Sequence, residues 1–175
     1  MYALDVRIRF IVCPLISVFV LSSRAQEAIP NDQIDYSAFL KVAQEVRGLR
    51  EARRLREDQF LQMMGQEGVV LLDARSAAKF KMRHLRGAVN LSLPDFDAPA
   101  LSKIIPAKDT KVLIYCNNNF AGSPVSFPTK AAGASLNIST FVTLSTYGYT
   151  NVYELGPAIN VRASKLPFEG DEVVK

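Results

Sequence analysis

Residues 111–120 read Lys-Val-Leu-Ile-Tyr-Cys-Asn-Asn-Asn-Phe and place one thiol at a sharp change of character in the chain. Val112, Leu113, Ile114 and Tyr115 form a continuous apolar run, the pattern of a strand buried on both faces of a parallel sheet. Cys116 ends it. Asn117, Asn118 and Asn119 tolerate left-handed backbone and offer local hydrogen bonds, so the chain is expected to leave the sheet there. Cys116 is thereby presented at the carboxyl end of a strand, where open α/β sheets hold their ligands. The chemistry this allows is that of a thiolate nucleophile; the plain alternative is a buried cysteine serving as a small hydrophobe.

A second strand, Val69-Val70-Leu71-Leu72, runs into Asp73-Ala74-Arg75 and brings an acid and a base to the same crevice. His84 and Gly87 follow in Arg83-His84-Leu85-Arg86-Gly87-Ala88, a tight turn into another short strand. Between Lys111 and Arg162 the only cation is Lys130, in a stretch rich in Gly, Ser and Pro. If that stretch folds back over Cys116, the Lys130 ammonium could hold an anion beside the thiol; an ordinary solvated lysine is the other reading.

The first 25 residues read as a secretory signal: Arg7 and Arg9, an apolar run over residues 10–21, then Ser23-Arg24-Ala25 as a cleavage site. The run falls short of the roughly 20 residues a membrane span needs, and Pro14 interrupts it, so no stable membrane insertion is expected after cleavage. Removing Arg7, Arg9, Arg24 and Asp5 turns 21 basic and 17 acidic residues into 18 and 16. So small an excess gives no argument for nucleic acid. Cys13 leaves with the signal, and Cys116 alone cannot form an internal disulfide. One His and one Cys supply no thiolate and imidazole set for a metal, and no cofactor is expected.

The elements that must position these residues follow from periodicity. Residues 34–49 carry apolar positions at helical spacing, with Asp35 as N-cap, and this helix is expected on the outside. Five arginines between 47 and 56 alternate with Glu51 and other acids and read as a solvated, salt-bridged face without assigned function. A short edge strand at 53–55, a helix at 57–65 with Phe60, Leu61 and Met64 inward, and short helices at 77–82 and 101–105 come next. Residues 137–147 read as a helix stopped by Gly148, and 151–155 as the last strand. Strands alternating with helices imply an α/β fold, a central parallel sheet with helices on both faces, in a single domain.

Four segments in order resemble the rhodanese-like domain family: Val-Val-Leu-Leu-Asp-Ala-Arg at 69–75, Arg-His-Leu-Arg-Gly-Ala-Val-Asn at 83–90, Val-Leu-Ile-Tyr-Cys at 112–116, and Gly-Tyr-Thr-Asn-Val-Tyr-Glu-Leu-Gly at 148–156. With the signal at 1–25 set aside, the resemblance divides the chain into a helical extension at 26–52, the rhodanese-like domain at 53–165 and a tail at 166–175. It further implies a sulfurtransferase passing a sulfane sulfur from a small donor to a thiol or cyanide through a persulfide on Cys116. Asn117, Asn118, Asn119 and Lys130 are the expected substrate-binding positions. Asp73, Arg75, His84 and Gly87 are the expected structural ones, with His84 remote from the thiol. Secretion, or a periplasmic location, follows from the signal. The pattern departs from the family after Cys116, where about 15 extra residues precede the helix and the usual loop arginine is missing. The alternative expectation is therefore a catalytically degenerate module that binds a protein partner or a sulfur ligand without turnover.

Overall fold

The structure, a computed structural model, describes residues 29–173. The segment read as a signal lies outside the described residues. Residues 29–33 make a small turn of their own, with Gln33 N–H donating to Asn31 Oδ1 at 2.9 Å. In residues 34–173, chain order runs α1 (Tyr36–Ala52), β1 (Arg54–Leu55), α2 (Glu57–Met64), β2 (Val70–Asp73), α3 (Ala77–Met82), β3 (His84–Leu85), β4 (Val89–Asn90), α4 (Ala98–Ile104), β5 (Val112–Tyr115), β6 (Phe120–Ala121), α5 (Leu136–Thr146), β7 (Val152–Leu155), β8 (Ile159–Asn160) and β9 (Phe168–Glu169).

Five strands form one parallel sheet in the order β1-β7-β5-β2-β4. β5 is its centre. Leu71 and Leu72 of β2 stand beside Leu113 and Ile114 of β5, and successive strand side chains point to opposite faces. One face therefore takes Leu72, Val112 and Ile114 against Leu101 of α4 and Phe141 and Leu144 of α5, with Val46 of α1 packed on that cluster. The other takes Leu71, Leu113 and Tyr115 against Phe60 of α2 and the rings of Phe120 and Phe127. This double burial is why both strands are apolar without alternation. The parallel sheet covered on both faces is the architecture expected from the sequence.

Helix boundaries obey local chemistry. Asp35 caps α1 by accepting from Ala38 N–H at 2.8 Å, and α1 keeps every residue at least partly exposed, as an outer helix should. α5 forms despite Ile138, Thr140, Val142 and Thr143, because burying Phe141, Val142 and Leu144 outweighs their weak helix propensity. Gly148, at φ +83°, lets the chain turn back into β7. The segment between Cys116 and α5 is a packed element: Phe120, Ser126 and Phe127 are all buried. Phe120 lies 4.7 Å from Phe127 and 5.1 Å from Phe168, ring centre to ring centre.

Candidate active site

Cys116 follows β5 in extended conformation, and the chain then makes a single 3-10 turn over Asn117–Asn119. Asn119 fixes that turn. Its Oδ1 accepts from the Cys116 N–H at 2.8 Å and from Asn137 Nδ2 at 3.1 Å. Its Nδ2 donates to Leu155 O at 2.7 Å and Pro157 O at 3.1 Å. One buried amide thus joins the ends of β5 and β7 to the start of α5. Asn118 does similar work further out, exchanging two bonds with the Lys130 backbone at 2.8 and 2.9 Å. Asn117 is buried, and its Oδ1 lacks a partner. The backbone N–H groups of Asn117 and Asn118 open the turn and make no backbone hydrogen bond among the described residues.

The thiol is covered, with Cys116 only 1% exposed. It borders a cleft of about 230 Å³ that Ser135, Asn137, Arg50, Arg54 and Glu154 also line. That volume lies below the roughly 300–1,000 Å³ of pockets for drug-sized ligands, so the cleft suits a reagent of a few heavy atoms. Ser135 is the N-cap of α5, yet its hydroxyl makes no capping bond; it lies 3.4 Å from Cys116 Sγ. A thiolate there would accept a hydrogen bond from that hydroxyl and face the positive end of an 11-residue helix.

Three charged groups form the opposite wall. Glu154 of β7 is buried and takes a two-pronged contact from Arg50, at 2.9 Å from Nε and 2.7 Å from Nη2. Arg54 Nε reaches the same carboxylate at 3.0 Å. Burial pushes the Glu154 carboxyl up from the ordinary glutamate range, against the pull of both guanidinium groups. Residues 47–56, read as a solvated, salt-bridged face, do make exposed ion pairs with Glu51 and Asp58, but Arg50 and Arg54 also reach Glu154, because an unpaired carboxylate inside the sheet would be too costly to bury.

The remaining residues divide by place. Asp73 and Arg75 form a buried ion pair at 2.6 Å, and Asp73 Oδ2 also accepts from the Tyr115 hydroxyl at 2.6 Å. Burial first, and then the Asp73 carboxylate, push the Tyr115 phenol well above its ordinary range, so it remains a donor. Arg75 spends its other donors on Ser126 O and Arg83 O, at 2.9 and 2.8 Å, which ties the segment after Cys116 to β2. His84 stacks on Phe80 with ring centres 3.8 Å apart, and its Nδ1 lies 2.8 Å from Phe80 O. It does not line the Cys116 cleft. Gly87 sits at φ +80° between β3 and β4. Lys130 and Asn117 border a neighbouring cleft of about 350 Å³ with Ala74, Ser76 and Ser92.

Sequence reasoning missed Ser135, Asn137, Glu154, Arg50 and Arg54. Two of them had a signal. Ser135 stands at the start of a helical segment, and Glu154 is a charge inside an otherwise apolar strand, which demands a partner. Nothing local marks Arg50 or Arg54, whose pairing depends on β1 lying next to β7.

Among solved structures, a rhodanese-like domain from Anabaena sp. aligns at TM-score 0.50 and 16% identity, over 69% of this chain and 80% of that one. A protein from Bacillus halodurans aligns at TM-score 0.45 and 16% identity, over 68% and 77%. A rhodanese with anions from E. coli aligns at TM-score 0.39 and 22% identity, over 58% and 98%. No curated protein matches the sequence. The family model of the rhodanese-like domain matches residues 57–156, and the chain belongs to that family.

Proposed function

We propose that the protein is an exported sulfurtransferase in which Cys116 carries a sulfane sulfur as a persulfide. The observation that supports this best is the one thiol among the described residues, at the carboxyl end of the central strand and in a cleft sized for a small reagent. The Cys116 thiolate attacks the outer sulfur of a donor such as thiosulfate. A new S–S bond forms at Cys116, and the old S–S bond breaks with its electron pair leaving on sulfite. The backbone amides of Asn117 to Asn119, of which the Asn119 N–H already donates to the Cys116 side chain, and the Ser135 hydroxyl, 3.4 Å from Sγ, would stabilise the negative persulfide. A thiolate or cyanide then attacks the outer sulfur, takes it away and returns the Cys116 thiolate. Neither step needs a general base, so a structural His84 agrees with the scheme. Export rests on the charged, apolar and small-residue order of residues 1–25.

The 1% exposure of Cys116 favours a second reading, a module that binds a sulfur ligand or protein partner without turnover. Thiosulfate:cyanide sulfurtransfer by the full chain and by Cys116→Ser separates them. Turnover lost in the variant supports the enzyme; no turnover by either protein, with any donor tried, supports the binding module.

A further inference from the structure

The family match begins at residue 57, yet the wall of the Cys116 cleft opposite Ser135 includes two arginines from the elements before it. Arg50 ends α1 and Arg54 starts β1, and both are fastened to one carboxylate, Glu154. Two guanidinium groups against one buried carboxylate leave a unit of positive charge on that wall. Glu51, 58% exposed and outside the cleft lining, pairs with the two Nη1 atoms at 3.5 Å and 3.4 Å and offsets part of that charge from the solvent side. The other residues lining this cleft are uncharged, and Lys130 borders the neighbouring one.

Donors remain for a ligand. Each guanidinium carries five N–H groups. Glu154 takes Nε and one Nη2 hydrogen of Arg50 and Nε of Arg54, Gly156 O takes one Nη2 hydrogen of Arg54 at 3.2 Å, and Glu51 Oε2 takes one Nη1 hydrogen of Arg54 at 3.4 Å, which leaves two N–H groups of Arg54. Arg54 is also 42% exposed at its side chain, which puts it at the solvent edge, whereas Arg50, at 20%, lies deeper.

We propose that Arg54, held together with Arg50 on Glu154, forms an anion-selecting mouth for the Cys116 cleft, so that the N-terminal helix and first strand choose which reagents reach the sulfur. The ligand class is a small oxyanion bearing a sulfane sulfur. This rests on the sulfur-transfer reading for its biological meaning, but charge selection at the thiol is measured without turnover. Lys130 is not required for it. The arginine pair supplies from the amino-terminal side the guanidinium that the loop after Cys116 lacks.

The test is alkylation of Cys116 in the full chain by iodoacetate and iodoacetamide, which are close in size and differ by one negative charge. The ratio of the two rates cancels changes in thiol ionisation or access. Arg54→Gln should lower that ratio on the order of fivefold at low salt, the size expected of one partly screened unit charge nearby. Glu154→Gln, which removes the counter-charge, should raise it. Both shifts should shrink as salt is added. An unchanged ratio in Arg54→Gln, a shift of the same sign in both variants, or native protein inert to both reagents overturns the proposal. Sulfur loading from thiosulfate is measured in parallel on unmutated protein. Loading with an insensitive ratio sinks the anion mouth alone; a sensitive ratio without loading from any donor sinks sulfur transfer and leaves the mouth standing.

Discussion

Replacing Asn119 by alanine removes a side chain that is 5% exposed and makes four hydrogen bonds at the junction of β5, β7 and α5. Each such bond contributes about 1 kcal/mol net, and more where a buried partner is stranded, so the loss should be about 4 kcal/mol. For a domain of this size, each kcal/mol moves the melting temperature by about 2–4 °C, which predicts a fall of about 8–16 °C. Asn137→Ala cuts only the bond to Asn119 Oδ1 and should cost about 1 kcal/mol. Denaturant unfolding followed by circular dichroism measures both. A loss below about 1.5 kcal/mol for Asn119→Ala would show that water replaces the amide and that it does not hold the Cys116 turn.

Tyr115→Phe should cost about 1–2 kcal/mol, because its hydroxyl donates to Asp73 and accepts from the Leu85 N–H, and thermal unfolding reads this directly. Arg75→Ala strands the Asp73 carboxylate and should cost about 3–5 kcal/mol, with protease cleavage appearing first near Ser126, whose carbonyl Arg75 holds. Glu154 has a folded pKa above its ordinary value, so the native state holds that proton more tightly than the unfolded chain does. Its contribution to stability therefore grows as pH falls from above the raised value towards the ordinary glutamate range. Glu154→Gln, neutral at every pH, lacks this gain, so the stability of the unmutated protein relative to the variant should rise as pH falls; a difference that does not change with pH contradicts this.

Much of the fold was legible because its signals are local. The apolar runs at Val70–Asp73 and Val112–Tyr115 can be satisfied only by burial on both faces, and Asp35 and Gly148 mark the ends of helices by chemistry of their own. His84 was legible as structural, and it is bonded and stacked within its own helix–strand corner. The wall opposite the thiol was not legible. Arg50 meets Glu154 across 104 residues of sequence, and only the placement of β1 beside β7 creates that contact. The segment after Cys116 reads as an acceptor-binding lid or a wide turn with no task; what its small and polar residues do not foretell is that Phe120 and Phe127 are buried on the sheet. Asn117 to Asn119 read as offering their backbone amides to the sulfur; the Asn119 N–H does donate to the Cys116 side chain, while the bonds of the Asn119 side chain to neighbouring elements have no local signal.

The central claim, that Cys116 carries sulfur, is tested most directly by intact-mass measurement of the purified protein before thiosulfate, after it, and after cyanide. The account predicts a gain of one sulfur atom, located on Cys116 by peptide mapping, with release as thiocyanate on adding cyanide and no gain in Cys116→Ser. A protein that never gains the sulfur from any donor, or a Cys116→Ser variant that still transfers it, would contradict the account.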